Sequence, residues 1–259
     1  MKKLGFVCLA LLMAAGFTSC VNYKSRGEKR VTLNSKRTTG DFNKVANFTS
    51  CLVSYEQGDS CSVRVIGDKQ LVKSIVTRVV NGELQITRKP FEGDWERMIH
   101  GGDFMVYVTS PDLLEVRMDG SGDFMAAHKI DTDTLRVSLL GSGKLTINDL
   151  ICDAVDATLR GSGDLKMQQV ETVYANLNLI GSGNMAVRLK NAKQTNTALT
   201  GSGDLMVGFD NCKRVDCKLL GSGDVVLRGH VEQLNRESTG SGDIITSKLS
   251  VASSRAGKQ

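Results

Sequence analysis

Proline is nearly missing from this chain, with 2 residues in 259, and aromatic residues make up only 5%. Histidine occurs 3 times and tryptophan once. Scarce histidine leaves little material for imidazole metal sites or catalytic triads. Scarce aromatics leave little for the flat platforms that glycan-binding surfaces use. No apolar run after the first twenty residues approaches the ~18 needed to span a bilayer. Neither sign of charge dominates: 33 Lys+Arg face 28 Asp+Glu, and a net charge of +5 is too mild to indicate nucleic-acid binding. What is present is a 41% hydrophobic share, enough for a core, and 27 glycines. So much glycine beside so little proline excludes collagen and points to many tight turns. The composition leans away from an enzyme, and no cofactor is expected.

The first residues read as an address. Lys2 and Lys3 precede an apolar run from Leu4 to Phe17, followed by small residues and Cys20. That is a positive n-region, a short h-region and a cleavage zone. The stretch Phe17-Thr18-Ser19-Cys20 resembles a bacterial lipobox, in which the cysteine is acylated and becomes the mature N-terminus. Phe17 stands where the usual lipobox has leucine; looser lipoboxes of this kind look like those of Bacteroidetes lipoproteins. Residues 1–19 are therefore expected to be a lipoprotein signal peptide, with Cys20 the lipidation site and acyl chains the membrane anchor. An ordinary secretory signal is the alternative. Removing residues 1–19 takes away two lysines and no acid, which lowers the formal charge from +5 to +3. Residues 20–38 read as a basic tether. They lack the acidic cluster that marks outward export in some lipoproteins of that group, so the side of the outer membrane stays open.

A repeat dominates the remainder. Gly-Ser-Gly begins at Gly120, Gly141, Gly161, Gly181, Gly201, Gly221 and Gly240, at intervals of about twenty residues, and an Asp, Asn or Lys usually follows. His100-Gly101-Gly102-Asp103 fits one period earlier as a degenerate copy, and Asn81-Gly82-Glu83-Leu84 another. Alternating segments flank each tripeptide, for example Leu135-x-Val137-x-Leu139 before and Leu145-x-Ile147 after. Period two means strands with one buried face. Two short strands per coil cannot close a core alone, but stacked coils can.

The expected fold is therefore all-β: a single-stranded, right-handed parallel β-helix with coils of about twenty residues. The Gly-Ser-Gly solenoid is placed at residues 101–249 and a C-terminal tail at 250–259. A seven-bladed propeller is the rival, although its blades need roughly 40–50 residues. Residues 39–100 are less regular and are expected to hold the first coils and an N-terminal cap. Helix-like spacing at Lys69–Val79 would close the open end. Five cysteines remain after Cys20 in the mature chain, an odd number; Cys51 and Cys61 flank a turn and could bond across a hairpin. Cys152 and Cys212 fall in one column three coils apart, too far to bond.

Gly40-Asp41-Phe42, then Val80–Ile86, then Leu113–Asp119 leading into serial Gly-Ser-Gly-Asp units, resembles the head GIN domain family of putative autotransporter adhesins over residues 40–248. The resemblance implies an extracytoplasmic β-helix, often lipid-anchored in Bacteroidetes, and an adhesin role. It brings no catalytic residues.

A search for chemistry returns little. Gly141-Ser142-Gly143-Lys144 lacks the first glycine and the final Ser/Thr of a phosphate-binding loop. The Gly-x-Gly pairs lack the third glycine of a dinucleotide fingerprint. Asp204, Asp224 and Asp243 line one edge and could share a calcium ion, but an Asx-type turn bond is the simpler role. Phe91 and Trp95, in a Pro- and Gly-interrupted segment, form the candidate binding loop; covering the solenoid end is the alternative. The expected protein is a non-enzymatic outer-membrane lipoprotein at the cell surface or the periplasmic face. It would act as an adhesin-like module with a glycan or protein ligand. The alternatives are a structural periplasmic protein or, further off, a polysaccharide-active enzyme.

Overall fold

The computed structural model describes residues 32–90 and 104–254. Seventeen strands form one continuous sheet wound on itself into a solenoid of about 7 turns with roughly 20-residue coils. Two long ladders make its main walls. In one, β8 (Glu115–Gly120), β10 (Thr134–Gly141), the second half of β11 (Lys144–Gly161), and that of β12 (Asp164–Gly181) pair in parallel. The same ladder continues through β14 (Gln194–Gly201) and the ends of β15 (Asp204–Gly221) and β16 (Val225–Gly240). In the other, β9 (Asp123–Asp131) and the starts of β11 and β12 lead to β13 (Asn184–Lys190), β15, β16 and β17 (Ile244–Ser254).

Register keeps like over like. Leu139, Leu159, Leu179, Leu199 and Leu219 stack in successive coils, as do Leu145, Leu165, Met185, Leu205 and Val225. All are buried, so the alternating pattern in sequence is the inward face of the coil. Sequence spacing shows two such runs per coil; the structure has a third. Between Ile147 and Val155 the inward residues are Leu150 and Cys152, spaced three from each neighbouring run. Two consecutive outward residues, such as Asn148 and Asp149, mark each bend. This middle segment also absorbs length differences: Ala127 and His128 together face Asn148, which accounts for the one longer interval between corners.

The third bend is the Gly-Ser-Gly corner. Its first glycine has positive φ in every coil, for example 127° at Gly181 and 133° at Gly201. Its second glycine has no such backbone need but sits directly on the preceding coil: a Cβ on Gly203 would be driven into the Gly183 carbonyl oxygen. From Gly141 to Gly221, each first-glycine carbonyl accepts two N–H groups from the next coil. Ser202 and Gly203 both donate to Gly181, at 2.9 and 3.0 Å.

The N-terminal cap re-uses both ladders. β2 (Lys44–Asn47) lies parallel between β8 and β6 (Glu83–Arg88). β5 (Ile75–Val80) then closes that wall antiparallel to β6, through a hairpin at Asn81-Gly82 with φ of 51° and 74°. Asn81-Gly82 is thus a hairpin turn rather than an early copy of the glycine corner. In the other wall β3 (Leu52–Gln57) pairs with β9 and β7 (Phe104–Ser110), and β4 (Ser62–Asp68) runs antiparallel to β7. β1 (Thr32–Arg37), within the stretch read as tether, forms the outer strand against β4.

The helix expected at Lys69–Val79 is realised only as α1 (Lys69–Ser74), capped by Asp68 Oδ1, which accepts from the Gln70 and Leu71 amides. From Ile75 the run of β-branched residues favours strand, and β5 begins. The bond considered between Cys51 and Cys61 is not formed: β7 lies between β3 and β4, so those strands are no hairpin. Cys51 Sγ instead accepts from Thr49 Oγ1 at 3.0 Å, and Cys61 Sγ meets the Phe42 backbone at 3.3 Å. At the far end the inward column Val215, Cys217, Leu219 is met by Leu234, Arg236 and Ser238, and the apolar core stops.

Replacing Gly201 by Ala puts a Cβ at positive φ and into the Gly181 carbonyl. The expected loss of stability is roughly 2–5 kcal/mol by urea denaturation. Ser202→Ala removes only the exposed Ser202–Ser222 bond of 3.0 Å and is expected to cost about 0.5 kcal/mol. Equal effects for the two would contradict the stacked-corner account.

Candidate functional site

Cys20, Phe91, Trp95, His100 and Asp103 lie outside the described residues. The aspartate edge is described, and three of its carboxylates, those of Asp123, Asp164 and Asp224, have partners in the next coil. Asp123 Oδ1 accepts from the Lys144 amide at 2.9 Å, and Asp224 Oδ1 accepts from the Asp243 amide at 3.1 Å. Asp164 Oδ1 accepts from Asn184 Nδ2 at 2.8 Å. These bonds run between coils rather than within one turn, so the Asp row reinforces the stacking of corners. Among the described residues no three His, Cys, Asp or Glu side chains come together as a metal ion would require, including around Asp204, Asp224 and Asp243. Of the two aromatics in the coils after Phe124, Phe209 is buried and Tyr174 is 54% exposed.

A recess lies elsewhere, on the outer surface of the β9–β17 wall. It is a groove of about 620 Å³ across the coils that begin at Asp164, Asn184, Asp204 and Val225. Register builds it. Arg188, Gly208, Arg228 and Lys248 occupy equivalent positions in four successive coils. Gly208 has no side chain to fill the column, so a gap opens between two arginines. Beside it runs the column Lys166, Ala186, Met206 and Val226, in which Met206 is 39% exposed. Gln168 and Gln169 bulge together opposite Arg188 and form one rim.

Gly208 is not required by the fold. Its φ is not positive, and a Cβ there would meet nothing nearer than Arg188 Cγ at 3.7 Å, an ordinary contact. Glycine inside a strand costs about 0.5–1 kcal/mol relative to alanine, and often marks a place where another molecule approaches. The corner glycines are explained by backbone contact; Gly208 is not.

Electrostatics single out the same column. Along the adjoining bend, polar side chains are consumed by one another. Asn211 Nδ2 donates to Asn191 Oδ1 at 2.8 Å, and Asn191 Nδ2 donates to Glu171 Oε1 at 2.8 Å. Lys190 pairs with Glu171 at 3.4 Å. These partners, Asn191 first, hold the Glu171 carboxyl below its usual range. In contrast, Lys166, Arg188 and Arg228 have no ion pair or side-chain hydrogen bond among the described residues. The groove presents two guanidiniums and an ammonium, with Asp210 its one lining acid. Two-carboxylate glycoside hydrolysis needs a second acid across the scissile bond, and the groove does not supply it. Arginine forks without partners suit carboxylate, sulfate or phosphate.

The linear sequence does not mark this site, because Gly-Ser-Gly is its dominant signal and the groove residues lie twenty positions apart. Writing the coils under one another places Gly208 between Arg188 and Arg228, and that break in the column is the available signal.

A model of the family described as "Putative auto-transporter adhesin, head GIN domain" matches residues 41–210 and again 169–258, the overlap reflecting the repeat. The chain belongs to this family. Solved structures of the same fold include a putative adhesin from Bacteroides fragilis, with a TM-score of 0.73 and 20% identity, covering 86% of this chain and 97% of that one. A putative lipid binding protein from Parabacteroides distasonis follows at TM-score 0.61 and 16% identity, over 83% and 96% of the two chains. A putative adhesin from Parabacteroides merdae gives 0.59 and 18%, over 85% and 95%. No curated protein matches.

The thiols give a check on this part of the structure. Burial pushes the Cys51 thiol up to about 11 and raises those of Cys152, Cys212 and Cys217. Only Cys61 of these five is partly exposed. At pH 8 a maleimide is expected to label Cys61 in the native protein, and all five after unfolding. Native labelling of Cys152 or Cys212 would show that the stacked core opens.

Proposed function

We propose that this protein is a lipid-anchored, non-catalytic module of the cell envelope that acts at the cell surface as an adhesin. The observation that carries the reading is membership of the adhesin-type family across nearly all of the described solenoid. Cys20, following a signal-type segment, is the attachment point to the outer membrane. The solenoid supports a binding role in a simple way. Its inward columns are filled by its own side chains, so a ligand meets only the outer columns. The unpaired groove at Arg188 and Arg228 is the surface on which we place recognition. One structural neighbour is described as lipid-binding; in this chain a lipid, too, would have to lie outside the filled core. The second reading is a structural or accessory periplasmic protein, favoured by the basic stretch after Cys20 that carries no acidic export cluster.

The two readings separate by location. Proteinase K added to intact cells is expected to degrade the protein, with lysed cells as control. Cys20→Ala is expected to release it from the membrane fraction. Protection until lysis would overturn the surface role and leave the periplasmic one.

A further inference from the structure

We propose that the groove spanning Arg188, Gly208 and Arg228 binds an anionic polysaccharide. The chain would lie along the solenoid axis over Gly208, with carboxylate or sulfate groups on the two guanidiniums. This inference rests on the surface-binding reading above and names the ligand class for that site.

The geometry favours a linear ligand. Equivalent residues of successive coils stand about 4.8 Å apart, so Arg188 and Arg228 are separated by about 10 Å, with Lys248 one coil further on. The cations therefore follow the axis as a row, at a spacing close to one disaccharide of an extended glycan. Gly208 lowers the floor between them, and exposed Met206 with Ala186 gives an apolar flank for sugar C–H faces. Gln168 on the rim has a further amide to offer, although its Nε2 already donates to Asn148 Oδ1 at 2.6 Å. Each Arg fork matches a carboxylate or sulfate through paired N–H donors.

Other anions fit less well. The acidic column of Asp164, Asp204 and Asp224 runs along the same outer wall, four residues or about 13 Å from the arginine column. A flat anionic bilayer would cover both columns and meet repulsion, whereas a polymer one chain wide covers only the cationic one. An acidic peptide adding as a strand needs a free sheet edge, and here both neighbours of β15 are already paired. Single-stranded nucleic acid needs aromatic platforms, and the one lining aromatic, Phe209, is 4% exposed.

The test uses detergent-solubilised full-length protein in titrations against polygalacturonate, dextran sulfate, neutral dextran, poly-glutamate and phosphatidylglycerol vesicles. We expect binding to polygalacturonate, dextran sulfate or both, weakening as salt rises, and none to dextran. Which of the two binds identifies carboxylate or sulfate as the group recognised. Arg188→Ala with Arg228→Ala is expected to weaken binding about tenfold or more. Gly208→Val keeps both arginines, suits a strand, and should weaken binding as much with no loss of melting temperature. Arg136→Ala with Arg160→Ala, on the other wall, should change nothing. Binding insensitive to Gly208→Val and to the arginine pair would overturn the site. Equal binding of poly-glutamate or of vesicles would overturn the ligand class. Because these titrations do not depend on cellular location, Arg-dependent binding by a protein found in the periplasm would leave the site standing and remove the adhesin reading. Exposure on cells without such binding would do the reverse.

Discussion

From Gly120 onward, each coil rests on its neighbour at the Gly-Ser-Gly corner, where backbone meets backbone with no side chain between. From Gly141 to Gly221 the first-glycine carbonyl takes two N–H donors from the coil above, and the next glycine of that coil sits on the carbonyl of the one below. A side chain at either position would lift one coil off the other and break the ladders on both sides of the corner. Parallel pairing, the leucine columns and the length of the repeat all follow from that close approach. The aspartates after the corner add bonds in the same direction, from Asp123 to the coil of Lys144 and from Asp224 to that of Asp243. This explains why the tripeptide persists while the outer residues vary.

A solenoid built this way divides its residues sharply. Inward positions must be apolar and fit their column, because each is packed by the equivalents above and below. Outward positions owe the fold little beyond strand propensity. An unusual residue there calls for a reason outside the fold, and Gly208 is such a residue. The ends show the same division. Where the stack must stop, inward positions turn polar at Arg236 and Ser238, and the N-terminal wall turns antiparallel through β4, β1 and the β5–β6 hairpin. These features discourage further coils from adding edge to edge.

The repeat was legible because its cause is local to each coil. Positive φ, period-two burial and a constant interval can be read without knowing what touches what, and they led to a stacked β-solenoid. The cap was not legible, since its pairings join distant segments: β7 enters between β3 and β4, and β2 lies between β6 and β8. Asn81-Gly82 looked like a corner because a hairpin turn and a solenoid corner draw on the same residue types. The short run at Leu150 and Cys152 carries no readable period, because two inward residues are too few to declare one. Arg188 and Arg228 were invisible as a pair, because forty residues of chain separate them and only register sets one two coils above the other.

The sequence by itself determined the class of fold, the coil length, the inward columns and the glycine corner, since each is dictated by backbone geometry repeated every twenty residues. It also carries the apolar run from Leu4 to Phe17 ahead of Cys20, which is a matter of composition and order. Tertiary structure alone decided how the first coils are closed, that Cys51 and Cys61 remain apart, and that three cations and a missing side chain form a groove. Those features depend on which coil lies over which, and that is fixed only when the stacked backbones set the register.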